Sequence, residues 1–209
     1  MSLPESDRSW REQCQSNVGH QPMVDVTDMI RRGESVCGAA SLASLQRLAQ
    51  DLPDQPTVVD FTGRAGAQDL DQAGVGWYEL SGSSQTGRRD RVWLKIQAIV
   101  TLTCQRCMKP MQFVVDETAA FVCYANETEA LAAVQDDDDP LAPEPLAVDE
   151  PLDLIDLVQD QLILAVPYVP KHEACEPAVQ SAGEPIEDEP RESPFKVLEG
   201  LKTKPGKQD

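Results

Sequence analysis

The chain has 209 residues, a hydrophobic fraction of 41% and a formal net charge of −18, from 18 basic and 36 acidic side chains. That length supports one domain or two, and the charge excludes a generic basic nucleic-acid binder, because phosphate binding needs a cationic footprint. The charge is also uneven: residues 126–192 hold 19 acids and 2 bases, Lys171 and Arg191, while the remainder carries 17 acids and 16 bases.

No run approaches the roughly 18 consecutive apolar residues of a membrane-spanning helix. Residues 1–19 are polar and lack the apolar core of a secretory signal. Six cysteines in such a chain read as reduced thiols of a cytoplasmic protein. Cys14, Cys37 and Cys123 fit small buried apolar residues.

In chain order, residues 1–21 read as a loose polar leader. Thr27 and Asp28 are placed to cap a short helical turn through Met29 and Ile30. Residues 41–52 form a clearer helical pattern, with Leu42, Leu45, Leu48 and Ala49 on one face and Pro53 ending it. Residues 58–61 begin a strand, residues 63–76 read as a glycine-rich loop, and residues 77–80 form a second strand. From 91 to 103 every second residue is apolar (Val92, Leu94, Ile96, Ala98, Val100 and Leu102), which predicts a long strand with one wet face. Met111, Phe113, Val115, Ala119 and Phe121 continue that period after a short turn. Residues 91–124 are therefore one long hairpin.

Residues 126–150 lose periodicity and contain four consecutive aspartates, 136–139, a charge block of the kind usually left solvated. Residues 152–165 recover a helical period: Leu152, Ile155, Val158 and Leu162 on one face, Asp153, Asp156 and Asp160 on another. Residues 173–194 are rich in proline and acid, a disordered composition, and 193–202 is a short amphipathic segment with Phe195, Leu198 and Leu201 on one side. The expected architecture is α+β: an antiparallel sheet built on the hairpin, a packed helix at 152–165 and flexible acidic segments. In domain terms this is a leader (1–21), one α+β domain (22–172) with an acidic loop (126–150), and an acidic then basic tail (173–209).

The sequence supplies little for catalysis. His20 and His172 are the two histidines, neither is in a nucleophile–base pattern, and residues 63–76 lack the spacing and lysine of a phosphate loop. No catalytic residue is assigned. The motif with chemical content is Cys104-x-x-Cys107. Two thiols at that spacing can face one tetrahedral Zn²⁺, and His172-x-x-Cys175 offers a second half-site. A redox dithiol usually sits at a helix N-terminus, unlike this pair. Two ordinary reduced cysteines shaping a turn are the third reading, and the three stay open. Arg88, Arg89, Arg91, Lys95, Arg106 and Lys109 are the candidate RNA contacts; solvated charges balancing the acidic helix are the alternative.

Three blocks then resemble one family. Residues 100–110, with their Cys-x-Arg-Cys turn, are similar to the first block of the YceD-type, large ribosomal RNA subunit accumulation proteins. Residues 155–172 resemble the second block, and 193–202, with Pro194-Phe195 before Val197-Leu198 and a basic end, the closing one. The resemblance implies a cytoplasmic ribosome-biogenesis factor, not an enzyme, that supports synthesis, processing or stability of large-subunit ribosomal RNA. Its partner would be that RNA or its precursor, met directly or through a protein. It implies no catalytic residues. Relatives with further cysteines near the end would complete a metal site, and His172 and Cys175 stand in that region here. Two rival functions are a chaperone-like binder of a basic ribosomal protein, which explains the charge better, and an RNA-processing enzyme.

Overall fold

The computed structural model describes Leu3 and residues 8–14, 23–50, 52–56, 73–84, 86–136 and 142–178. Met1–Pro177 forms one compact unit and Ala178–Asp209 groups separately. In chain order the elements are α1 (Arg8–Cys14), β1 (Met23–Val24), α2 (Val26–Arg32), β2 (Ser35–Ser41), a 3₁₀ turn (Leu42–Ser44), α3 (Gln46–Gln50), β3 (Val75–Ser83), β4 (Arg91–Thr103), β5 (Pro110–Tyr124), α4 (Glu127–Asp136), β6 (Glu144–Ala147), β7 (Leu152–Asp153) and α5 (Leu154–Ala165).

Every one of the 13 residues of β4 pairs with β5, from Arg91↔Val122 to Thr103↔Pro110, so the predicted hairpin is present over its full length. The sheet order is β2-β3-β4-β5-β6, antiparallel except for β5-β6, and β1 pairs with β7 in a separate two-stranded ribbon. This is an α+β fold.

The apolar face of β4 lies at the centre of the main core. Val92, Leu94, Ile96, Ala98, Val100 and Leu102 cluster with Tyr78, Leu80 and Phe121, and with Leu154, Val158 and Leu162 of α5. Each such side chain contributes roughly 1.5–3 kcal/mol on burial. The helix starts two residues later than the period predicts, because Leu152 and Asp153 form β7 and Asp153 caps α5 by accepting from the N–H groups of Ile155 and Asp156. Glu117 breaks the alternation of β5 and lines an open cleft of about 540 Å³ with Glu144 and Gln161 instead of entering the core.

Helix α2 is longer than the single turn predicted. Asp25 caps its start, and Gly33 (φ 65°) closes it with N–H donations to Ile30 and Met29. Gly82 lets α2 lie on the sheet, since a Cβ there would meet Ile30 Cγ1 at 2.5 Å. The predicted 41–52 helix divides into the 3₁₀ turn and α3. Buried Gln159 of α5 accepts from the backbone N–H of Arg47 at 2.9 Å, and Asp160 accepts from its guanidinium at 2.5 Å.

Four expectations are corrected. The second face of β4 is not simply wet. Inside the segment read as a polar leader, α1 packs on that face, and Leu3, Cys14, Ala39, Val75, Trp77 and Ile99 form a second core beneath Trp10. Arg11 is fully buried and donates to Gln97 at 2.7 Å, and Gln97 donates to Asp116 at 2.8 Å. Cys14 and Cys37, expected as reduced thiols, are joined by a disulfide between α1 and β2, because that packing brings their Cα atoms to 5.2 Å. Cys123 is buried and free, as expected. The stretch 126–150, expected without regular structure, contains α4 and β6, the latter paired parallel to Phe121–Tyr124. The strand expected at 58–61, most of the 63–76 loop and the 193–202 segment lie outside the described residues.

Two outcomes test this packing. Leu162→Ala removes a fully buried side chain and should cost about 2–5 kcal/mol in denaturant unfolding. Reduction by a dithiol should speed hydrogen exchange in 8–14 while leaving 92–102 slow, because α1 then loses its covalent tie. Equal protection of α1 in both states would place its stability in packing alone.

Candidate metal centre

The turn between β4 and β5 is built to present sulfur. Cys104 N–H donates to Lys109 O at 3.0 Å and Met108 N–H to Cys104 O at 2.9 Å, closing a tight loop around Cys107. Met108 adopts φ 59°, the left-handed conformation that glycine enters without penalty and other residues do not. At the far end of α5 the chain leaves the helix through Pro167 and Pro170. Gln105 N–H then donates to Pro170 O at 2.8 Å, which lays residues 170–175 against the hairpin tip.

This brings the two half-sites together. Candidate ligand atoms of Cys104, Cys107, His172 and Cys175 all lie within 4.8 Å of one another. Cys104 Sγ is 3.8 Å from Cys175 Sγ, and Cys107 Sγ is 3.4 Å from His172 Nδ1. Two thiolates about 2.3 Å from one tetrahedral centre would stand ~3.8 Å apart, and a thiolate and an imidazole nitrogen ~3.6 Å. The separations fit a Cys₃His zinc centre. Such a donor set suits Zn²⁺ over Mg²⁺ or Ca²⁺, and with four protein ligands it is structural in kind.

The electrostatics agree. Burial pushes the Cys104 thiol up, but the backbone N–H groups of Cys107, His172 and Arg106, with the Cys107 side chain, stabilise its thiolate and bring it down to about 5. His172 N–H lies 3.4 Å from that sulfur. Burial and then the neighbouring Cys104 and Cys107 push the Cys175 thiol up, so metal uptake at neutral pH must displace its proton.

Five of the six candidate RNA contacts fall at two ends of the hairpin, and Lys95 lies within β4. Arg88, Arg89 and Arg91 stand at the start of β4 and Arg106 and Lys109 at the turn, about 40 Å away along a strand of this length. Arg89 stacks 4.2 Å over the Tyr124 ring and pairs with Glu129 at 3.4 Å. Lys95 lies 4.8 Å over the Trp10 ring, on the face that α1 covers. Arg106 donates to Cys175 O at 3.3 Å. The set is not one patch. Residue spacing alone missed the fully exposed Tyr168 and the left-handed Met108 beside the cluster; glycine after the second cysteine would have signalled that turn.

Among the described residues no helix is long and apolar enough to cross a membrane. What the fold and site define is an α+β protein with a thiol-rich cluster clamping the segment after its long helix onto a hairpin tip. The family model described as "Large ribosomal RNA subunit accumulation protein YceD" matches residues 92–202, and the chain belongs to that family. The chain is also 38% identical over 117 residues to the large ribosomal RNA subunit accumulation protein YceD of Haemophilus influenzae, covering 53% of this chain. The match spans 64% of that relative's length, less than two thirds. No solved structure matches.

Protein purified without added zinc should carry about one equivalent of metal, and Cys104→Ser/Cys107→Ser should lose it together with thermal stability. Metal-free protein of unchanged stability would leave the cysteines as turn formers. In the metal-free chain the Cys104 pKa is depressed, so its thiolate contributes stability that is full above the ordinary thiol value of 9.0 and is lost as pH falls through about 5. Thermal melts across that range should show this loss, and a Cys104→Ser variant should not.

Proposed function

We propose that this protein is a non-enzymatic ribosome-biogenesis factor that acts in the cytoplasm and supports synthesis, processing or stability of large-subunit ribosomal RNA. One observation carries the reading: the family match at 92–202 takes in the hairpin and all four residues of the Cys/His cluster. In this reading the sheet is a rigid platform, Zn²⁺ is a structural cofactor held by Cys104, Cys107, His172 and Cys175, and precursor or mature ribosomal RNA is the partner. Direct contact would use Arg106 and Lys109 at the tip, with Arg88, Arg89, Arg91 and Lys95 further along the strand.

A second reading is favoured by a different observation. The stretch 126–192 carries 19 acids against 2 bases, a field that attracts cations and repels bare RNA. A basic ribosomal protein would then be the first partner and the RNA would be reached through it.

Depletion in the source cell should lower large-subunit relative to small-subunit ribosomal RNA, with restoration by the wild-type chain and less by Cys104→Ser/Cys107→Ser. In-cell crosslinking separates the two readings: RNA adducts at the hairpin tip support direct contact, and adducts only to basic ribosomal proteins support the second. An unchanged RNA ratio on depletion would overturn both.

A further inference from the structure

The hairpin tip exposes side chains that neither the fold nor the cysteine cluster uses. Tyr168 is 100% exposed, Met108 60% and Val169 48%. Met108 adopts a left-handed conformation where glycine would be unstrained, so its side chain does nothing to ease the turn. The Gln105–Pro170 hydrogen bond and the Cys/His cluster hold the two segments together, and Pro167 and Pro170 stiffen the chain on either side of Tyr168. Beside Tyr168 opens a cleft of about 480 Å³ whose apolar lining includes Leu52, Leu102 and Ile163, with Arg47, Thr103 and Gln105 as its polar edge. An apolar patch on a polar rim marks an interaction site.

The charge of this tip is opposite to that of the chain. Residues 104–111 and 166–172 contain Arg106, Lys109 and Lys171 and no acid, in a protein of net charge −18. All three cations are exposed; extended to Cys175, the tip also holds exposed Glu173, leaving three bases against one acid. An exposed aromatic ring with cations on its own segment and on the segment bonded to it is an arrangement that binds single-stranded nucleic acid: bases stack on the ring, and phosphates meet the cations. A duplex does not fit, because its bases are stacked inside and cannot reach the ring.

We propose that the tip is a binding site for single-stranded RNA, in which Tyr168 stacks on a base, Met108 and Val169 pack beside it, and Arg106, Lys109 and Lys171 take the flanking phosphates. The proposal rests on the direct-contact reading of the function and deepens it by naming the strand state of the RNA and the stacking residue.

The test uses the full chain and a labelled, unstructured RNA of about twelve nucleotides, within the usual footprint of such sites, alone and annealed to its complement. Wild type should prefer the single strand. Tyr168→Ala should weaken binding roughly 5- to 100-fold, and Tyr168→Phe should retain it. Lys109→Glu/Lys171→Glu should weaken binding and lower the slope of log affinity against log salt by about 0.7 per lost phosphate contact. Because Tyr168 is fully exposed, metal content and melting temperature should not change in its variants. Single-strand binding that Tyr168→Ala leaves within about twofold, or tighter binding of the duplex, overturns this inference and leaves direct RNA contact standing. Failure of the wild-type chain to bind either RNA overturns direct contact itself, and capture of an acidic peptide by the same tip would then identify a protein ligand.

Discussion

The register between β4 and β5 is the constraint on which the rest depends. Its 13 pairs put Val92, Leu94, Ile96, Ala98, Val100 and Leu102 on one face and Lys95, Gln97 and Ile99 on the other. A slip of one residue would exchange the faces and bring Lys95 and Gln97 under α5. The same register ends at Thr103↔Pro110, which leaves six residues for the turn and fixes the Cys104–Lys109 hydrogen bond beneath the sulfur cluster. Core and Cys/His cluster are therefore consequences of one ladder. Neither can be shifted without the other.

Legibility in the sequence followed how local each signal is. The hairpin and α5 were readable because thirteen and twelve residues keep one period, and the two half-sites because three-residue spacings survive any fold. Helix α1 was not. Its inward side carries Trp10, Arg11 and Cys14, and an arginine counts as solvent-facing until a partner as distant as Gln97 is known. The disulfide was hidden for the same reason, since it joins residues 23 apart through packing that the period does not record. Strand β6 is four residues long, includes Pro145 and pairs parallel at an edge, so neither alternation nor length announces it. Family resemblance, not composition, carried the function.

The cations that the sequence groups together are divided by the fold into engaged and available ones. Arg47 is clasped by Asp156 and Asp160, Arg89 by Glu129 and the Tyr124 ring, and Lys95 by the Trp10 ring. These exposed or rim pairs are each worth at most about 1 kcal/mol, too little to hold the fold. Their consequence is electrostatic: the carboxylate partners offset the charge of Arg47 and Arg89, and the Trp10 ring occupies Lys95 without neutralising it. What remains available among the six candidates lies toward the two ends of the hairpin, and at the turn end it coincides with exposed apolar side chains.

That coincidence would give a metal bound at the cluster a role beyond stability. Residues 166–172 follow the last turn of α5 without regular structure of their own, and the segment they begin is tied to the hairpin by the Gln105–Pro170 and Arg106–Cys175 hydrogen bonds, by the His172 N–H against Cys104 Sγ and by the side chains of His172 and Cys175. Hydrogen bonds of this kind contribute only about 1 kcal/mol each. A tetrahedral ion adds more, because a structural zinc site contributes folding energy in its own right. With the ion bound, Tyr168 and Lys171 are held beside Arg106, Met108 and Lys109. Without it, those weaker contacts alone join the two halves of the tip, and each ligand contact there must also meet more of the entropy of ordering them. Closed by an ion, the cluster would act as a positioning device for the tip, a role that soft thiolates around a fully ligated ion suit.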